Sequence, residues 1–199
     1  MSIPETTVEI RTLGSFSISV EGKPVAAEWP DEMLKLFFCS LLSPLDIFFT
    51  WDRICRAMLG EAESLTSRLR LKEVYIRPLG IFMIKEIGFN PLIAGYENIR
   101  IDQQRIHVDA LEFHRAVIEG LRQISLGDKS AALSQINMAN SLYVGSYLPG
   151  MSGKIIENTR CELESLYQAM IMNTRLSQVC PPVRTIRKGK VRRLFAGCQ

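Results

Sequence analysis

The chain is poor in residues that usually announce chemistry. Its two histidines, His107 and His114, have no second ligand at metal spacing, so no metal site is expected. The five cysteines (Cys39, Cys55, Cys161, Cys180, Cys198) are odd in number and form no CxxC pair, which favours a reduced chain with buried thiols over a disulfide framework. No apolar run reaches the roughly 18 residues of a membrane span. The opening MSIPETTVEI lacks a basic-then-apolar signal pattern. No Ser/His/Asp set or paired carboxylates stand out. GMSGKII lacks the P-loop glycine spacing and has Ile155 where a magnesium-binding hydroxyl would stand. The expectation is a cytoplasmic, non-enzymatic protein without cofactor.

An excess of positive charge is also missing from most of the chain. The formal net charge is +3, but the tail RTIRKGKVRR (184–193) alone holds six cations and no acid. Residues 1–180 carry 18 basic and 21 acidic side chains, and residues 1–107 carry 12 and 14. The body is not a basic block, so any nucleic-acid affinity must come from a local face or from the tail. Beyond Pro181-Pro182 the tail has too little apolar content to pack, and 181–199 is expected to be a disordered basic arm.

What is present is a change of periodicity along the chain. VEIRTLGSFSISVEGKPV alternates, with Val8, Ile10 and Thr12 on one side, Phe16, Ile18 and Val20 following, and a turn at Glu21-Gly22-Lys23. This predicts a small antiparallel sheet. DEMLKLFFCSLLS then places Leu34, Phe37, Phe38, Leu41 and Leu42 on a helical stripe capped by Asp31. TWDRICRAMLG reads as a short helix from the Thr50 cap to Gly60. A third helix starts near Ser64. NPLIAGYENIRIDQQRIHV offers short strands separated by Gly95–Asn98 and by Asp102–Gln104, both read as hairpin signals.

From Asp109 the pattern is all helical. Asp109 with Glu112 resembles a capping box for ALEFHRAVIEGLRQIS. Asp128 can cap KSAALSQINMANSLYVG, whose apolar face is expected to be Leu133, Ile136, Ala139, Leu142 and Tyr143. Ser152 can cap a long helix to about Gln178, with Glu157, Arg160 and Glu164 as a surface ion-pair ladder. The expected fold class is α+β: an N-terminal winged helix-turn-helix (residues 1–107) with a small antiparallel sheet and a wing hairpin. An all-α tetratricopeptide-like helical domain (108–180) follows, although no clear 34-residue self-repeat is visible.

IRTLGSF, IHVDALEFHRA and LYVGSYLPG resemble the bacterial transcriptional activators that join an OmpR-type winged helix to a bacterial transcriptional activator domain, the antibiotic-pathway regulators among them. The resemblance covers roughly residues 8–178. It implies a nucleoid-associated regulator that binds double-stranded DNA by the third helix and wing. The helical domain would then serve oligomerisation with a second copy or contact with a partner such as RNA polymerase.

Within LTSRLRLKEVYIRPLG, a wheel of 100° per residue puts Leu65, Leu69, Ile76, Leu79 and Met83 on the core side. Arg70 and Arg77 fall opposite, with Thr66 and Glu73 between them, and Arg68 and Lys72 at the margin. Guanidinium, hydroxyl and carboxylate groups can address base edges, and the marginal cations phosphates. Tyr96, Asn98 and Arg100 are the wing candidates. Pro78 lacks a backbone donor and disfavours α geometry at Arg77, which predicts an interruption there. Two readings stay open. A continuous positive strip over Arg70 and Arg77 would favour DNA binding, whereas acid-neutralised arginines would favour a protein-interaction module of the same fold. For the helical domain, Phe113, Val117, Leu121, Leu142 and Tyr143 are the candidate lining of a partner groove.

Overall fold

The computed structural model describes residues 7–46 and 48–179, the side chains of 175–179 excepted. The tail from 180 on lies outside these residues. Three strands open the chain: β1 (Val8–Arg11), β2 (Ser17–Val20) and β3 (Lys23–Val25), paired antiparallel. Glu21 and Gly22 both have positive φ (51° and 76°), the geometry of a two-residue hairpin turn whose twist matches the flanking strands.

Helix α1 (Glu32–Leu41) starts at Asp31, whose carboxylate accepts from the Met33 N–H, and buries Leu34, Phe37, Phe38 and Leu41. Strand β4 (Phe49–Thr50) leads into α2 (Trp51–Leu59), capped by Thr50 and closed by Gly60 in the left-handed conformation. Next come α3 (Leu65–Leu71), a π-turn (Lys72–Ile76) and α4 (Arg77–Ile87), which form one helical rod. Strands β5 (Leu92–Ala94) and β6 (Asn98–Ile101) make the wing hairpin, and β4 pairs with β6 to give a sheet of order β4-β6-β5. Trp29 sits among Phe16, Phe38 and Phe82 at ring separations of 6.1, 5.6 and 4.8 Å, joining the first sheet to α1 and α4.

The segment after the wing departs from expectation. Asp102–Gln104 does not turn a second hairpin. Strand β7 (Ile106–Val108) instead runs parallel to β1, giving the sheet order β3-β2-β1-β7, so the first sheet is mixed rather than purely antiparallel. The 107/108 boundary read from the sequence falls inside this strand. β7 runs directly into α5 (Asp109–Leu126), followed by α6 (Lys129–Leu142) and α7 (Lys154–Val179).

Asp109 is not the N-cap of α5. Its carboxylate reaches back to β1, accepting from the Thr12 N–H (2.8 Å), the Thr12 hydroxyl (2.6 Å) and the Leu13 N–H (3.0 Å). That tie explains why polar Thr12 is fully buried. The loop 143–151 folds onto the same strand end. Gly14 N–H donates to Ser146 O (2.9 Å) and Leu148 N–H to Thr12 O (2.7 Å). Gly145 lies so near Gly14 that an added Cβ would stand 2.8 Å from its Cα, so only glycine fits. Arg160 is no rung of a surface ladder. Its guanidinium donates to the carbonyls of Tyr147, Leu148 and Met151 at 2.8–2.9 Å, fixing the loop from α7. Ser43 and Thr159 share a buried hydrogen bond of 2.7 Å. These contacts fasten the C-terminal helices to the N-terminal α+β part of the chain.

Three smaller expectations also change. Leu133 is exposed, so the buried side of α6 is Ala132, Ile136 and Ala139. That helix ends at Leu142 rather than Gly145. Cys39 and Cys55 are buried, but Cys161 is exposed on α7.

Candidate nucleic-acid interface

The third helix begins with a reciprocal cap. Ser67 N–H donates to the Ser64 hydroxyl (3.0 Å) and Ser64 N–H to the Ser67 hydroxyl (2.7 Å). Pro78 does not end the helix. The chain widens by one π-turn just before it, Arg77 N–H reaches Lys72 O, and Arg77 keeps helical angles (φ −65°, ψ −48°). The extra residue changes the phase. Leu71, Tyr75, Leu79, Met83 and Ile87 are buried at every fourth position, where an uninterrupted helix repeats at about 3.6. The uniform wheel therefore fails in the first half: Leu65 and Leu69 are 77% and 53% exposed, and Leu71 and Tyr75 take the core instead.

The wing is fastened to this helix by two side chains. Trp51 Nε1 donates to Tyr96 O (3.0 Å) and Gly95 O (3.3 Å). Arg68 donates to Tyr96 O (3.1 Å), pairs with Glu63, and lies over the Trp51 and Tyr96 rings at 5.4 and 5.8 Å. Arg68 is thus turned inward as a wing anchor, not held out as a free cation. A contact across 28 residues leaves no periodic trace in the sequence. Lys72 Nζ stands 5.5 Å from the Trp51 ring.

The remaining candidates are on the surface. Thr66, Arg70, Glu73, Arg77 and Arg100 are exposed, Asn98 is half-buried, and Tyr96 at the wing tip is 87% exposed. Arg100 sits on β6 opposite Ile93. The arginines do not form a continuous positive strip. Arg70 pairs with Glu61 at 2.8 Å and Arg77 with Glu73 at 3.4 Å. Residues 61–87 hold five cations (Arg68, Arg70, Lys72, Arg77, Lys85) against four acids (Glu61, Glu63, Glu73, Glu86). Exposed pairs of this kind are worth only about 0.2–1 kcal/mol each, so a phosphate can compete for the arginines.

The helical segment corrects the groove expectation. Phe113 and Val117 are fully buried, and Leu121, Leu142 and Tyr143 are half-buried against the same core. Phe113 packs on Tyr143 (5.0 Å) and Tyr167 (6.2 Å), and Tyr143 stacks on Tyr167 at 4.1 Å. These residues pack into the seam between α5, α6 and α7. His107 Nδ1 lies 3.7 Å from Glu112 Oε1. Burial lowers the pKa of His114, and the Arg115 charge adds to the effect. Among the described residues no group of three His, Cys, Asp or Glu side chains could hold a metal, and no helix is long and apolar enough to cross a membrane.

Comparison with known proteins adds one point. No protein-family model matches the sequence, and a search of curated proteins also returns no match. Among solved structures, Mycobacterium tuberculosis EmbR in complex with a low affinity phosphopeptide superposes with a TM-score of 0.58 at 15% identity, over 85% of this chain and 44% of that one. The chain shares the EmbR fold. It spans less than half of the EmbR chain, and at this identity the likeness is one of architecture.

Proposed function

We propose that the chain acts in transcription regulation through its winged-helix and helical segments, and that α3, the π-turn and the wing contact duplex DNA. The observation that carries this reading is the surface formed when Arg68 and Trp51 fasten the wing turn beside α3. It leaves Thr66, Arg70, Lys72 and Tyr96 exposed, on a fold shared with EmbR. In this reading Arg70 and Arg77 are the base-edge candidates, with Thr66 and Glu73 beside them. Lys72 and Arg100 meet phosphates, Tyr96 and Asn98 belong to the wing, and Arg68 positions the wing without touching the duplex. The helical segment acts through its outer surface, toward RNA polymerase or a second copy, since its inner residues are committed to packing. The regulator is cytoplasmic, nucleoid-associated and without enzymatic activity.

Fluorescence-anisotropy titration of a random-sequence duplex pool across a salt series tests the reading. The two phosphate-directed cations of the folded face, Lys72 and Arg100, give a slope of log affinity on log salt of about −2. A slope near zero, or no binding at low salt, would overturn it.

The ion pairs at Arg70 and Arg77, with the exposed apolar side chains around them, favour a second reading. In it the same fold docks protein and has no DNA affinity. Absence of duplex binding, with the fold intact by circular dichroism, would select it.

A further inference from the structure

The outward side of the third helix carries a row of exposed residues four apart: Glu73, Arg77, Ile81 and Lys85. Ile81 is 63% exposed and its neighbour Ile84 is 53% exposed. An i, i+4 row of this kind is a ridge on a helix surface. Here the ridge stands between two grooves that share Glu73, Arg77 and Ile81 as their common wall. One, of about 690 Å³, has Pro30, Pro78 and Phe82 on its far side. The other, of about 360 Å³, has Ile76, Gly80 and Ile84. At its floor the Asn90 side chain packs against Gly80, its Nδ2 3.0 Å from where a Cβ would stand. A ridge with a groove on either side is the shape that another helix of the same kind fits, crossing at about −50°.

The order of charges along the row selects the occupant. An acid, Glu73, stands at one end and a base, Lys85, at the other, with Arg77 and Ile81 between them. A uniformly acidic partner helix would meet Glu73 in like-charge contact, and a uniformly basic one would meet Lys85. A partner whose charges run in the reverse order meets neither. The chain itself, turned about a twofold axis between Arg77 and Ile81, presents that order. Lys85 then falls opposite Glu73, and the aliphatic stem of Arg77 lies over Ile81, each contact occurring twice. We propose that this face is a self-association surface on which a second copy of the chain docks its third helix antiparallel, ridge into groove. A twofold interface of this kind is self-complementary and closes on itself as a dimer. A contact of essentially one helix pair is small beside the roughly 1,200–2,000 Å² of a stable complex, so the dimer is a weak, concentration-dependent one.

Sedimentation velocity of the full chain without DNA tests this independently of the regulator reading. The expected result is a monomer–dimer equilibrium that becomes visible by about 100 μM. Ile81→Glu, at an exposed position, abolishes it while circular dichroism stays unchanged. Glu73→Lys alone and Lys85→Glu alone each set like charges opposite one another twice and weaken the dimer at least about tenfold. The double variant Glu73→Lys, Lys85→Glu restores opposite charges and with them the dimer. A chain that stays monomeric throughout overturns the proposal. So does a dimer that Ile81→Glu leaves intact, or a double variant no better than its parents. Duplex and second copy would compete for Glu73 and Arg77, so a DNA titration run well below the dimer's concentration range bears on the regulator reading alone.

Discussion

The carboxylate of Asp109 holds Thr12 by both its backbone N–H and its hydroxyl, across 97 residues of chain. It also takes the Leu13 N–H, so a charged acceptor satisfies three donors from the end of β1. Removing it leaves those donors without a partner, which costs more than losing an ordinary helix cap. Asp109→Ala is expected to destabilise the chain by about 3 kcal/mol, against about 1 kcal/mol for a simple N-cap. Urea unfolding reads the difference as a lowered midpoint at unchanged slope. A loss of only cap size would reduce Asp109 to a local role.

Arg160 supports the same junction from α7. It donates to three carbonyls in fixed directions, which an ammonium group cannot reproduce. Leu148 has a positive φ of 42°, a conformation costly for a branched side chain, and these bonds help to hold it there. Arg160→Lys should therefore cost about 1–2 kcal/mol despite conserving charge, and hydrogen exchange should speed up at Gly14 and Leu148. Protection that stays at the parent level would show the loop to be held without Arg160.

How much of this was legible in the sequence follows from how local each signal is. Asp31, Thr50, Ser64, Gly60 and Asp128 act within a few residues of where they stand, and all sit at the helix ends where their chemistry put them. Asp109 has the same chemistry as a cap, and only tertiary structure reveals that its partner is β1. The parallel β1–β7 pairing was hidden for the same reason, because alternation shows that a strand exists but not its neighbour. The face of α3 was misread because the wheel assumes a constant pitch and the π-turn breaks it. Of the two arginine pairs, Arg77–Glu73 stands at the i, i+4 spacing that a sequence shows, whereas Glu61 lies nine residues from Arg70, outside the spacings at which helix neighbours meet.

Those pairs predict how DNA affinity should respond to charge. Glu61→Gln frees Arg70 and removes an acid from the proposed duplex face. Glu73→Gln does the same for Arg77. Each is expected to raise affinity for a random duplex about three- to tenfold and to steepen the salt slope by up to about one. Unchanged affinity in both would place the arginines away from the duplex.

The two proposed base-edge arginines should differ from the phosphate contacts. Arg70→Ala is expected to cost about 1–3 kcal/mol on the best site and to relax preference at one base pair. Lys72→Ala should weaken all sequences alike. Arg68→Ala should act through the wing, with faster amide exchange around Tyr96 before any DNA is added. If the three variants weaken every sequence equally, the assignment of separate roles is wrong.

Charge alone gives the expectation for the tail. Deleting 183–199 removes six cations. It should lower sequence-independent DNA affinity while leaving the ranking of sites intact, as competition between random and selected duplexes would measure. A changed ranking would mean that the tail reads bases.

Pro78 and the widened turn before it belong together. A proline inside an ordinary helix clashes with the carbonyl four residues back and leaves it unbonded, and the wider π-turn gives that carbonyl room. An extra residue in a helix can otherwise migrate along it, as each hydrogen bond exchanges its partner for the next. Here migration toward the C-terminus would return the ring to a tight turn, so the proline works as a stop. The supernumerary residue is pinned between Lys72 and Ile76. The helix is thereby indexed like a keyed shaft: what it presents to any partner is set by one imino acid on its own flank.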